Sequence, residues 1–165
     1  MESLKYIYTL VYGIMPEQTR RTIISNREFC AHCGVEFKVL NFDVAVGECA
    51  AGASDKKRFE NAAAIPRILY VDWDCRIENL PEFDPAVPVV AQENGVARES
   101  WAMYNGDATD LFKEMLPGIQ KNSERGWWGC HFSVLNSPEY KNKLSVFPDG
   151  FFKHLNINAG MQIKV

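Results

Sequence analysis

Two acids stand one residue apart where a strongly strand-forming run ends, Ile68-Leu-Tyr-Val-Asp72-Trp-Asp74. Carboxylates at the C-terminal end of a buried strand are costly unless a cation sits beside them. In open α/β sheets that end of the strands is also where ligands collect. With Trp73 between them, Asp72 and Asp74 point to the same side of an extended chain. A hard divalent ion that keeps part of its water shell and shares a diphosphate suits such a pair. The competing reading is a plain surface turn, since Asp is common after strands. Ahead of the strand, Ser54-Asp55 reads as an N-cap pair that opens a short apolar helix, with Arg58-Phe59 one turn in. Pro66 breaks that helical pattern.

The elements that must position these residues are legible around them. Tyr6 to Tyr12 is rich in aromatic and β-branched residues and predicts a first strand. Pro16-Glu17 starts a helix that runs to Cys33, with Gly34 as its C-cap and Ile23, Ile24, Phe29, Cys30 and Cys33 as the buried face. Glu36 to Phe42 reads as a second strand, so the first forty-odd residues are β-α-β with a right-handed crossover. The small, Gly/Ala-rich stretch from Val44 to Ala53 reads as a loop. After Asp74 a loop from Cys75 leads to a strand at Pro88-Val-Val-Ala91, a hairpin turn at Gln92-Glu93-Asn94-Gly95 and a return strand at Trp101-Ala-Met-Tyr104. Asp107 to Leu116 is helical in pattern, and Pro117-Gly118 is expected to end it. The whole reads as one α/β domain over 1–165, the first three strands forming a nucleotide-binding style of half-domain.

Composition narrows the classes. The chain has 165 residues, 47% of them hydrophobic, and a net charge of -3. That describes a globular protein and argues against a basic nucleic-acid binder. The start, Met1-Glu-Ser-Leu-Lys5, is too polar for a signal peptide, and no run approaches the length of a membrane span. Five cysteines, an odd number, suit a reducing compartment, so a cytoplasmic protein is expected. Cys30-Ala-His-Cys33 offers a rival chemistry, a redox pair or half a zinc site. It falls at the C-terminal end of the predicted helix, where the dipole disfavours thiolates, and Cys49, Cys75 and Cys130 supply no second pair. Two small core residues one helical turn apart are the favoured reading, with a thiol-redox or zinc protein as the alternative. Arg125-Gly-Trp-Trp-Gly-Cys-His131 could stack on a sugar face or simply fill core.

The order Ser54-Asp55-x-x-Arg58-Phe59, helix, Tyr70-x-Asp72-x-Asp74 resembles the sugar-binding Asp-x-Asp region of glycosyltransferases. The nearest group is the one that includes yeast α-mannosyltransferases and bacterial capsular polysaccharide transferases. Phe59 stands where that group has Tyr, and Arg67-Ile68 follows Pro66 where it has Gly-Gly. The resemblance is most specific over residues 5–75. It implies a GT-A-like nucleotide-sugar-binding fold, a mixed and mostly parallel sheet flanked by helices, with a donor-binding part over about 5–75 and an acceptor side over about 76–165. It also implies a hexosyltransferase that needs Mn2+ or Mg2+, takes a nucleotide-sugar donor and a glycan or other small acceptor, and retains anomeric configuration. Carried onto this chain, Asp55, Arg58, Asp72 and Asn105 would lie at the donor, and Asp72, Asp74 and the late His154 at the metal. The missing Gly-Gly and the short chain leave one further alternative, a non-catalytic nucleotide- or carbohydrate-binding remnant.

Overall fold

The computed structural model describes residues 3–45, 50–124 and 132–155. Strand β1 (Tyr6–Val11) is buried along its whole length because both of its faces are covered. Strands β2 (Phe37–Asn41) and β3 (Ile68–Val71) flank it on either side, both parallel to it. Their connections are the helices α1 (Glu17–His32) and α2 (Ala50–Ala64). Five short strands follow: β4 (Cys75–Ile77), β5 (Val89–Val90), β6 (Gln92–Glu93), β7 (Val96–Ala97) and β8 (Ala102–Tyr104). Helices α3 (Thr109–Glu124) and α4 (Phe132–Leu135), then strands β9 (Ser145–Val146) and β10 (Phe152–His154), complete the described elements. The main sheet has the order β2-β1-β3-β8-β5-β9, and β8 alone runs against its neighbours.

Alternation along the strands divides the core in two. Tyr6, Tyr8 and Leu10 of β1, Ile68 and Tyr70 of β3 and Met103 of β8 pack beneath α2 and α3 with Phe59, Phe112, Met115 and Ile119. The alternate residues Ile7, Leu69, Val71, Ala102 and Tyr104 face the other way, with Cys30, Phe83, Phe147 and Phe151. On that second face β4 and β10 form a separate antiparallel ribbon that pairs Cys75 with His154. One buried amide fastens the ribbon to α1. Asn26 donates to the Cys75 carbonyl at 2.9 Å and accepts from the Ile77 N–H at 2.8 Å, as a neighbouring strand would.

Several expectations are corrected. Helix α2 already includes Ala50, so the Ala-rich stretch is helical and Ser54-Asp55 lies inside the helix rather than capping it. Ile24 and Cys33 are exposed, and Thr19, Thr22 and Asn26 share the buried side of α1 with Ile23 and Cys30. Residues 75–77, read as loop, are strand β4. Helix α3 runs through Pro117, which stands on the exposed side while Ile119 remains fully buried in the core one turn beyond Met115. Arg67 takes the left-handed backbone at φ 60, where a glycine would be free of strain. Its guanidinium grips Asp107 at 2.8 and 3.1 Å, and its N–H donates to the Gly106 carbonyl. The Asn94-Gly95 turn forms as expected, both residues at positive φ between β6 and β7. Among the described residues no helix is long and apolar enough to cross a membrane.

Candidate functional site

Strand β3 delivers the acids. Its last residue, Val71, is fully buried, and the chain then turns, Cys75 N–H donating to the Asp72 carbonyl at 3.0 Å. The two carboxyls therefore come together through a turn and not through the pleat of an extended strand. Trp73 is directed inward, against Val11 and Ile23, and anchors that turn. Asp72 is half-buried, and its Oδ1 accepts from the Tyr70 hydroxyl at 2.7 Å and from the Trp73 N–H at 3.0 Å. Asp74 is 5% exposed. Its Oδ2 meets Nε2 of His154 at 2.9 Å across 80 residues of sequence, and the Cys75 thiol points to its Oδ1 at 3.7 Å. The ribbon makes that long-range meeting local, since Leu155 N–H donates to the Asp74 carbonyl at 2.8 Å.

Burial and then the neighbouring Asp74 charge push the Asp72 carboxyl well above the ordinary carboxylate range. Burial pushes Asp74 up as well. Without a cation the pair therefore favours holding a proton. Burial pulls the His154 imidazole below its usual value, against the field of Asp72. Its contact with Asp74 at 2.9 Å therefore needs no charged ring. Trp101 stacks on that ring at 4.5 Å and 24°, and holds its orientation.

Behind the acids lies a buried charge cluster. Arg58, 1% exposed, is bound to Asp55 and, at 3.0 Å, to Glu99. Its guanidinium carbon also lies 5.1 Å from the centre of the Tyr70 ring. Burial alone would lower its pKa, but the Asp55 and Glu99 carboxylates more than reverse that and keep it cationic. The structure thus brings together Asp72, Asp74 and His154, with Asp55 and Arg58 enclosed behind them.

Asn105, expected at the donor, stands apart from the two acids. It lies beside Ile68, at the other end of β3, roughly four residues at about 3.3 Å each from Asp72. Its Oδ1 accepts from Ile68 N–H, and its Nδ2 donates to the Ala62 and Ile65 carbonyls. All of its amide serves the turn between α2 and β3. Glu99 was not picked out by sequence, because the only signal for a buried acid is its partner, which here lies 41 residues away. Cys30 is buried and its thiol is pushed up to about 12 by burial and then by Cys33, whereas Cys33 is at the surface. The aromatic stretch Arg125–His131 lies outside the described residues.

A divalent ion matches the chemistry of the acid end. Among the described residues no group of three or more His, Cys, Asp or Glu side chains is placed to hold a metal ion. Mg2+ and Mn2+ do not need one, since two carboxylates supply the protein's share when substrate phosphates and waters complete the shell. The hard oxygens of Asp72 and Asp74 are of the kind such an ion takes.

No protein-family model and no curated protein sequence matches the chain. Among solved structures it is similar to a glycosyltransferase involved in the glycosylation of the major capsid of PBCV-1. The TM-score is 0.64 at 13% identity, over 95% of this chain and 98% of that one. Two structures of Drosophila β1,4-galactosyltransferase 7 also align, with a TM-score of 0.49 at 13% identity over 92% of this chain and 71% of theirs. One is the catalytic domain with xylobiose, the other a mutant with manganese, UDP-Gal and xylobiose. The first likeness is one of fold, and the chain has the GT-A-like architecture, a mixed and mostly parallel sheet flanked by helices, that the acid motif led one to expect.

Proposed function

We propose that this protein is a glycosyltransferase that moves a sugar from a nucleotide-sugar donor to a glycan or other small acceptor, with Mn2+ or Mg2+ at Asp72, Asp74 and His154. The observation that supports this is the meeting of two adjacent acids with a distant imidazole at the carboxyl end of a central parallel strand in a GT-A-like sheet. Such an ion, when bound, offsets the negative charge that builds on the leaving diphosphate as the glycosidic bond breaks. Asp74 would supply the anionic charge that holds the cation, with His154 beside it at 2.9 Å. Asp72, with Oδ1 engaged by Tyr70 and Trp73, would offer its remaining oxygen to the ion or to donor hydroxyls. Arg58 and Asp55 act from behind, holding Tyr70 and Asp72 in place. Retention of anomeric configuration belongs to the proposal, with no side chain assigned as nucleophile.

The test is a thermal-shift panel of nucleoside diphosphates with and without manganese. A ligand that binds only the folded chain raises its stability by about 2.7 kcal/mol at a hundred times its Kd. For a chain of this size that is a rise of about 5–10 °C. One diphosphate is expected to produce it in manganese and little without. No response to any diphosphate in manganese would refute the proposal.

A further inference from the structure

The turn at residues 98–101, between β7 and β8, touches the supports of both acids. It is closed by the Trp101 N–H donating to the Arg98 carbonyl at 2.9 Å. From it Glu99 reaches inward, fully buried, and bonds Arg58 at 3.0 Å. Arg58 lies over the ring of Tyr70, and the Tyr70 hydroxyl donates to Asp72 at 2.7 Å. From the same turn Trp101 stacks on His154, which bonds Asp74. The Trp101 carbonyl also accepts from the Asp72 N–H at 2.8 Å. On the outer side Arg98 lies 5.6 Å from the centre of the Trp101 ring and pairs with Glu93 of β6 at 3.3 Å. A buried acid such as Glu99 needs a cationic partner against its desolvation, and here that partner leads through Tyr70 to Asp72.

We infer that the 98–101 turn is the positioning element of the acid site: Glu99 sets Asp72 through Arg58 and Tyr70, and Trp101 sets Asp74 through His154. Neither residue is a catalytic residue. Each fixes the direction of a carboxylate by fixing the group that holds it, as outer partners do around metal ligands. The inference rests on the proposed transfer reaction only for what the acids are used for. The positioning itself belongs to the chain without ligands.

The experiment uses carboxyl-carbon NMR of the full chain without metal, followed by manganese titration. Glu99→Gln keeps the shape and removes the charge. It is expected to move the Asp72 carboxyl resonance and to leave that of exposed Asp110 in place. Manganese affinity should fall about tenfold, the low end for loss of an outer partner. In a Tyr70→Phe background the same change should move the Asp72 resonance and the affinity much less, because the link through the hydroxyl is gone and only the through-space field of Arg58 remains. Trp101→Leu is expected to move the Asp74 and His154 resonances. An Asp72 resonance unmoved in Glu99→Gln, or moved equally in both backgrounds, overturns the first half of the inference. An unmoved Asp74 resonance in Trp101→Leu overturns the second. If Glu99→Gln melts below the working temperature, Glu99→Asp keeps the charge and draws Arg58 back by one methylene, with the same expectation in both backgrounds. If the wild type binds no manganese, the metal-dependent reading falls while the resonances still decide the positioning.

Discussion

Arg58→Met is the most direct perturbation of the cluster behind the acids. Met replaces the stem of the side chain and removes the guanidinium, leaving Asp55 and Glu99, 4% and 0% exposed, without their shared cation. Removing one partner from a buried ion pair costs about 3–5 kcal/mol, because the remaining charge stays desolvated. That is a large part of the roughly 5–15 kcal/mol that holds an ordinary domain together. For a chain of this size it lowers the melting temperature by about 6–20 °C. Urea unfolding followed by circular dichroism gives the free energy, and an unchanged slope confirms that the denatured state has not moved. Combining Arg58→Met with Asp55→Asn and Glu99→Gln removes every charge of the cluster, and should recover most of the loss. A single variant within about 1 kcal/mol of wild type, or a triple variant no better than the single, would refute the reasoning. The family resemblance implies Arg58 beside the donor, a role that predicts lost affinity with little lost stability.

Four further outcomes follow from other parts of the structure. Asp74→Asn should abolish the manganese-dependent part of nucleoside diphosphate binding in calorimetry; equal affinities for wild type and variant would sink the metal assignment. The folded pKa values of Asp72 and Asp74 are raised, so the metal-free fold binds protons more tightly than the unfolded chain. Their contribution to stability is therefore present at acid pH and lost as pH rises through the folded values, so Asp74→Asn should be at least as stable as wild type at neutral pH and show a flatter pH profile in thermal melts. Asn105→Ala leaves the Ile68 N–H and the Ala62 and Ile65 carbonyls without their side-chain partner, and should cost about 3 kcal/mol in urea unfolding while nucleotide affinity stays within twofold. Gly106→Ala places a Cβ against the Pro85 carbonyl at a residue with φ 54, and should cost about 2 kcal/mol or more, whereas Gly34→Ala at φ 73 meets open space and pays only the left-handed backbone.

The order β1-α1-β2-α2-β3 and the place of the acids were legible because they rest on local signals, β-branched runs, Gly34 and Pro66. The Asn94-Gly95 hairpin belongs to the same class. What could not be read locally was decided by contacts far along the chain. Three-residue β4 looks like a loop until β10 pairs with it, and Asn26 looks like a surface polar residue until it bonds the Cys75 and Ile77 backbone. Glycines at 47 and 52 suggested a loop where alanines continue a helix at least from Ala50. Pro117 suggested a stop because local propensity carries no information about the burial of Ile119. The late histidine was singled out through the resemblance. Its place against Asp74 is set by the ribbon.

The Asn26 amide has a mechanical consequence. A helix seated only by apolar side chains can shift along its groove at modest cost, since one aliphatic contact replaces another. Helix α1 cannot, because any shift would strand the Cys75 carbonyl and the Ile77 N–H in an apolar layer. The amide thus works as an alignment pin between α1 and β4. It also occupies the free edge of a two-stranded ribbon that could otherwise recruit a strand from another molecule. Because β4 in turn sets the register of β10, the reach of the imidazole is fixed from a helix that touches the acid turn through Ile23 against Trp73.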